Sequence, residues 1–440
     1  MARPVDVLAP ARLGADFRKL LGAALLTNLG DGMAIAAGPL LVASQTRDPM
    51  LVALAVILQR IPWLLVGLYA GVLADRVDRR AILVSANLAR VAVLAVLAVA
   101  VTTERADIVV VLASLFALGL AETFEDVTAA TVTPMLVAAA DLGVANARLQ
   151  SAFITANQLA GPPLGAFLFA AGHFLPFAGQ AVLVAFGAVL VSRIRRSTVP
   201  ADPTADSNGS PRRSIRRDVT DGVRWLWRNP PVRTLALTIV TFNVTFGAAW
   251  SVLVLYADDR LGLGEVGYGL LTTTSAIGGL CGTAMYSRLE RRFALATIMR
   301  AGLVIETLTH LALALITRGE LAMAVMFVFG AHAFIWSTTS STVRQRAVPT
   351  AFQGRVGSVY LLGVVGGMVV GGAIGGLIAR QTGITGPFWF GFVGSALILV
   401  AIWRELAHIA HSGAPPEAPP ATDPAPTSAP TSIESPDGDR

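Results

Sequence analysis

The residues best placed to do chemistry in this chain are ionisable side chains set inside long apolar stretches. Asp31 interrupts one stretch and Arg60 the next, while Arg90 lies in a third. A fourth carries Glu122, Glu125 and Asp126 at i, i+3 and i+4, which places three carboxylates on one helical face. Farther along, Arg300, Glu306 and His310 share a stretch, and His332 and Trp336 share another. A charge at the centre of a bilayer costs about 3 kcal/mol, so each of these groups needs a partner or water. Desolvated carboxylates close to one another must be balanced by a base or a bound proton. The chemistry open to them is binding, exchange and release of a proton, with Na+ the other candidate. Outside the spans there is no phosphate-binding glycine loop, His/Cys metal spacing or nucleophile elbow, so neither an enzyme nor a cofactor is expected.

The elements that must position these groups are membrane helices. Of the 440 residues, 54% are hydrophobic and 14% charged, and the mean hydropathy is +0.65. A hydrocarbon core of about 30 Å needs roughly 20 apolar residues per helix. Twelve runs reach that order: 20–43, 50–73, 81–102, 108–128, 149–170, 174–192, 234–256, 266–286, 293–316, 321–343, 356–379 and 386–404. They are numbered here as spans 1 to 12. Run lengths exclude a barrel, whose strands are shorter and alternate in polarity. The first run is too long for a signal peptide, and Asn28 and Asp31 break it. Most of the 34 Lys and Arg residues fall in the termini and the even-numbered loops. The positive-inside bias therefore predicts cytoplasmic termini in a multi-pass protein of a bacterial inner membrane. This bias also explains the net charge of +6 without a nucleic-acid partner. Cys281 is the one cysteine, so no intramolecular disulfide forms.

At a rise of 1.5 Å per residue, Asp31 sits about 16 Å from the inner end of span 1 and Arg60 about 15 Å from the outer end of span 2. Equal depth predicts an Asp31–Arg60 pair, either a static strut or a site where a proton or substrate replaces the arginine. Arg90 is the expected partner of Glu122, read equally as a proton carrier or a structural partner. Glu125 and Asp126 are expected near Arg79 and Arg80 of the loop between spans 2 and 3. For Arg300, Glu306 and His310, buried pairing is expected. His332 reads as a packing residue or as a titrating one.

The chain divides into a terminus (1–19), a six-helix half (20–192), a linker (193–233), a second six-helix half (234–404) and a tail (405–440). The tail is rich in Pro, Ala, Ser, Thr and acids and reads as disordered. The linker's later part, Asp218 to Arg228, reads as an amphipathic surface helix with Val223, Trp225 and Leu226 on one side. The halves are related: Asp75-Arg76-Val77-Asp78-Arg79-Arg80 aligns with Ser287-Arg288-Leu289-Glu290-Arg291-Arg292, and Gly161-Pro162-Pro163-Leu164-Gly165-Ala166 with Gly371-Gly372-Ala373-Ile374-Gly375-Gly376. Such repeats place a substrate site at their interface near mid-membrane.

Gly71-Val-Leu-Ala-Asp75-Arg76-Val-Asp78-Arg79-Arg80 resembles the signature loop of the major facilitator superfamily, G-x-x-x-D-R/K-x-G-R/K-R/K, with Asp78 in place of glycine. Pro134-Met135-Leu136-Val137, Ala145-Asn146 and Gly161-Pro162 resemble the group of drug:proton antiporters that includes macrolide and enterobactin exporters. So do Arg344-Gln345, Val348-Pro349 and Gly354-Arg355-Val356. Span 5 resembles that group's G-x-x-x-G-P-x-x-G-G motif, with Asn157 and Ala166 replacing its first and last glycines.

The resemblance implies an all-α polytopic membrane protein, with twelve transmembrane helices in two pseudo-symmetric six-helix bundles. It also implies proton-coupled efflux of a hydrophobic or amphipathic small molecule by a monomer in the lipid bilayer. Gly71, Asp75, Arg76, Arg79 and Arg80 become gating residues, with Glu125 and Asp126 as their partners. Asp31, Glu122 and Arg60 become proton-coupling candidates. Spans 1, 4, 7 and 10 line the cavity in that superfamily, which makes Asn28, Asn243, Phe246, Trp250, His332 and Trp336 substrate-cavity candidates. Gly161, Pro162 and Gly165 would allow span 5 to approach span 8 or 11. Import or flipping of a metabolite or lipid, and a scaffold or sensor without transport, are the alternative readings.

Overall fold

Backbone groups in hydrocarbon find no water to bond, so apolar runs satisfy them internally as helices. The computed structural model describes residues 11–195 and 215–406. The disordered-tail expectation and the first part of the linker lie outside the described residues. Spans 1 to 4 are Gly14–Gln45, Pro49–Arg76, Arg79–Thr102 and Ile108–Leu136. Span 5 comprises Leu142–Ala152 and Gly161–Ala171, joined through a π-helical stretch, Phe153–Ala160. Span 6 is Leu175–Ser192. Spans 7 to 12 are Pro230–Ser251, Gly264–Arg292, Leu295–Leu315, Gly319–Ala347, Thr350–Thr382 and Gly386–Ile402. Nine described helices meet the length and apolarity of a full crossing. Of the other three spans, span 5 is broken by its π stretch, span 8 is rich in Gly and Thr, and span 12 has 17 residues.

Turns between spans are short because aspartates start the helices. Asp48, Asp78 and Asp107 accept from the backbone N–H groups of Met50, Arg80 and Val110 at 2.8–2.9 Å, capping spans 2, 3 and 4. Several helices run past their apolar cores: span 8 continues to Arg292 and span 10 to Ala347. Hydropathy marks only the hydrocarbon portion, whereas the helix carries on into the interface.

Neighbour relations repeat between the halves. Span 1 packs on 5 and 6, span 3 on 4 and 6, and span 2 on 4; span 7 packs on 11 and 12, span 9 on 10 and 12, and span 8 on 10. The halves meet along spans 2 and 11 and along spans 5 and 8. Glycines make the closest approaches. A Cβ on Gly161 would stand 2.5 Å from Gly32 Cα, and one on Gly165 would meet the backbone of Met33, both on span 1. In the second half Gly371 and Gly375 pack the same way on Val244 and Ala248 of span 7. The adjoining face of span 5 (Pro162, Pro163, Ala166) meets Gly269 of span 8, and Gly372 and Gly376 of span 11 meet Ile57 and Ala53 of span 2. The expected approach of span 5 to span 8 is present and is made by the proline face with Ala166, whereas the motif's glycines Gly161 and Gly165 pack on span 1 inside the bundle.

The linker helix is Ile215–Arg228. Trp225 stacks on Phe352 of span 11 at 5.8 Å and Leu226 is buried. Val223, expected on the same side, faces outward.

Candidate functional site

Inside the N-terminal bundle the charges of three helices converge on one guanidinium. Arg90 of span 3 is 1% exposed and donates to Asp31 of span 1 and to Glu125 of span 4. Gln180 of span 6 donates to Asp31 at 3.2 Å, and Asn87 accepts from Arg90 at 3.4 Å. Two carboxylates on one arginine leave the triad with an excess negative charge, so a further cation or proton is needed for neutrality. Glu122 is half-buried and Asp126 exposed on the same helix, and the charge of Arg60 faces both.

The predicted Asp31–Arg60 pair is therefore corrected. Equal depth fixes only one coordinate; Asp31 turns into its own bundle, while Arg60 is exposed on span 2. Arg90 pairs with Glu125 rather than with its expected partner Glu122, and Glu125 meets Arg90 rather than Arg79 or Arg80. Gln180 was missed because a lone amide in an apolar run carries no pattern.

The loop between spans 2 and 3 is tied to its own bundle. Arg80 donates to the backbone carbonyl of Ser192 at the end of span 6. Arg79 lies 3.2 Å from Met135 Sδ at the end of span 4. Arg76 is exposed. Asp75 closes span 2, and its side chain falls outside the described residues. Gly71 is not a close-contact glycine, because a Cβ there would meet Val127 at an ordinary 3.8 Å. In the second half Glu290 and Arg346 form the matching tie between spans 8 and 10 at 3.8 Å.

The halves are joined at the side away from the chain termini. Arg47, between spans 1 and 2, bonds Asp258 at 2.7 Å and Asp259 at 3.1 Å beyond span 7. Asp48 lies 4.0 Å from Arg380, and His173 3.9 Å from Glu265. The seam glycines Gly269, Gly372 and Gly376 lie in the same half of the membrane. Toward the termini the seam opens: Arg60 and Asp126 are exposed, and a Cβ at Gly354, Gly357 or Gly366 of span 11 would meet nothing within 4 Å. This is a cleft open at the termini side and closed at the other. The sequence did not reveal the closing pairs, whose residues are ordinary loop charges. Arg47→Ala should weaken this closure by about 0.2–1 kcal/mol, as expected for exposed pairs. Cysteine cross-linking across spans 1–2 and 7–8 would then drop modestly, and salt would mimic the substitution.

Of the cavity candidates, Phe246 and Trp250 of span 7 line an apolar recess with Phe329 of span 10 and Phe388 of span 12. Its cavity volume is only about 20 Å³, and Phe246 stacks on Phe329 at 5.6 Å. Asn243 and Asn28 spend their amides on backbone carbonyls one turn earlier, Ile239 and Ala24. Trp336 is 4% exposed and packs against Gly302 of span 9, so it is a core residue and not a cavity wall. His332 turns away from the recess to Glu306, at 3.0 Å. Arg300 bonds the carbonyl of Trp403, leaving Glu306 to the histidines.

Two six-helix bundles with a buried charge cluster and a one-sided cleft define a membrane transporter on the major facilitator plan. The family profile described as transmembrane secretion effector matches residues 6–422, and the chain belongs to that family. The multidrug efflux pump Tap of Mycolicibacterium fortuitum is 27% identical over 368 residues, 79% of this chain and 84% of that one. An uncharacterized MFS-type transporter of Mycobacterium tuberculosis is 38% identical over 121 residues, and the match spans only 27% of its length and 27% of this chain. Among solved structures, a bacterial homologue of the iron transporter ferroportin in an inward-facing state aligns with a TM-score of 0.71 at 18% identity. That alignment covers 89% of this chain and 98% of the other. A bacterial homologue of the human lysosomal transporter Spinster, also inward-facing, gives 0.66 at 14% identity, over 92% and 98%. At these identities the structural likeness establishes the fold alone.

Proposed function

We propose that this transporter exports a hydrophobic or amphipathic small molecule in exchange for protons. The carrying observation is the Asp31–Arg90–Glu125 cluster with Glu122 and Asp126 beside it. These carboxylates outnumber the bases that reach them, so protons are the natural balancing charge, and the exposed Asp126 connects the cluster to the cleft. With the termini taken as cytoplasmic, the cleft is open to the cytoplasm, the side from which an exporter loads. Tap, named as a multidrug efflux pump, is a relative in keeping with this reading. A single chain holds both bundles, and we read it as working as a monomer in an inner membrane.

The test is accumulation of a panel of lipophilic dyes and antibiotics in an efflux-deficient bacterial host, with and without a protonophore. Wild type should lower accumulation of at least one compound, and either the protonophore or an Asp31→Asn, Glu122→Gln variant should abolish the difference. Equal efflux by wild type and an equally expressed variant would refute the coupling role.

A further inference from the structure

The C-terminal bundle holds a second buried ionisable cluster, built on a different charge plan. Glu306 of span 9 is 1% exposed, His310 3% and His332 of span 10 4%. Glu306 Oε2 lies 3.0 Å from His332 Nε2, and Oε1 lies 3.5 Å from His310 Nδ1. His310 Nδ1 also lies 3.0 Å from the backbone carbonyl of Glu306. A carbonyl only accepts, so this nitrogen carries the His310 proton. Two atoms remain without a partner: Glu306 Oε1 and His332 Nδ1. With Nε2–H donating to Oε2, each of these two atoms holds a free lone pair on which a proton can add.

Among the described residues no permanent cation pairs with Glu306. Span 12 carries no ionisable residue, and span 7 carries only Arg233, in its first turn. On span 9 the remaining charged residue, Arg300, is held by Trp403. On span 10, Glu320 lies in the first turn and Arg344 and Arg346 in the last. The contrast with the first half is direct. The register that aligns Asp75–Arg80 with Ser287–Arg292 sets Arg90 against Gly302. Where the N-terminal bundle has a guanidinium, the C-terminal bundle has a glycine, and a methyl there would stand 3.3 Å from His332 Nδ1. One cluster is balanced in part by a fixed charge, whereas the other can be balanced only by a charge that comes and goes.

We propose that Glu306, His310 and His332 form a proton-binding site in the C-terminal bundle, distinct from the Asp31 cluster. Glu306 with neutral histidines is a buried unbalanced anion, and one proton added at His332 Nδ1 neutralises the site. Among the described residues no group of three His, Cys, Asp or Glu side chains is arranged to hold a metal ion, which favours the proton over a divalent cation. The site adjoins two recesses. His310 borders the aromatic one beside Phe246 and Trp250, and Glu306 borders a smaller one lined by Thr238, Thr241, Thr245 and Ser395, where the hydroxyls of Thr238, Thr245 and Ser395 are spent on backbone carbonyls.

The test uses the full chain in lipid nanodiscs with 15N-labelled imidazoles, observed by NMR from about pH 5 to 8, the range natural to histidine. His310→Gln and His332→Gln assign the signals. His332 should pass from neutral to doubly protonated in wild type and stay neutral throughout in Glu306→Gln. Asp31→Asn should leave that titration unchanged, which separates this site from the coupling role proposed above. A static packing role predicts a neutral His332 at every pH, or the same titration in Glu306→Gln, and either result overturns the proposal. If Glu306→Gln does not fold, potentiometric proton uptake by wild type and His332→Gln decides. The variant should bind one proton fewer, and equal uptake overturns the proposal.

Discussion

Arg90→Met should abolish gradient-driven transport and destabilise the N-terminal bundle by about 3–5 kcal/mol, the cost of leaving a buried charge without its partner. Arg90 joins spans 1, 3 and 4 through Asp31 and Glu125. Its loss strands both carboxylates in a core that includes Leu94, Leu97 and Leu118. Neutralising all three groups (Arg90→Met, Asp31→Asn, Glu125→Gln) should recover most of the stability, since no charge is then unpaired. Transport should not return, because Asp31 and Glu125, the two carboxylates held by Arg90, can no longer exchange a proton. Thermal unfolding in detergent, read beside dye efflux, separates the two effects. Recovery of both would make the cluster a strut and nothing more.

Gly161→Leu in the span-5 motif should be strongly damaging, and Gly71→Ala in the signature loop nearly silent. At Gly161 the added Cβ meets Gly32 Cα at 2.5 Å and Gly32 carbonyl carbon at 2.7 Å. These are backbone atoms, so relief requires moving span 1 away from span 5 and with it Asp31, one residue from Gly32. Overpacking of this kind costs about 1–3 kcal/mol or more. At Gly71 the nearest atom is a side-chain methyl at 3.8 Å, and the effect should stay within about 0.5 kcal/mol. Fluorescence-detected size exclusion after a heating series would rank the two. A silent Gly161→Leu would mean that spans 1 and 5 are not locked at this point.

The contrast between those glycines shows what could be read in advance. Twelve spans, two related halves and the family were legible because hydropathy, loop charge and repeated motifs are one-dimensional signals. The partner of Asp31 was not. Depth follows from counting residues, but the direction a side chain faces depends on the rotation of each helix, and Arg90 lay on a span whose polar residue had been assigned to Glu122. Glu306 and His332 were visible as buried ionisable residues on adjacent spans, yet only packing brings them to 3.0 Å. Arg47, Asp258 and Asp259 had no signal at all, since a closed seam is a property of one conformation.

Proton exchange at the Asp31 cluster is most directly tested in proteoliposomes holding purified protein and a dye it exports in cells. An imposed proton gradient should drive the dye against its own concentration gradient in wild type. With Asp31→Asn the dye should move no faster than in empty vesicles. Dye movement that ignores the gradient in wild type, or that persists undiminished in the variant, would contradict proton antiport through this site.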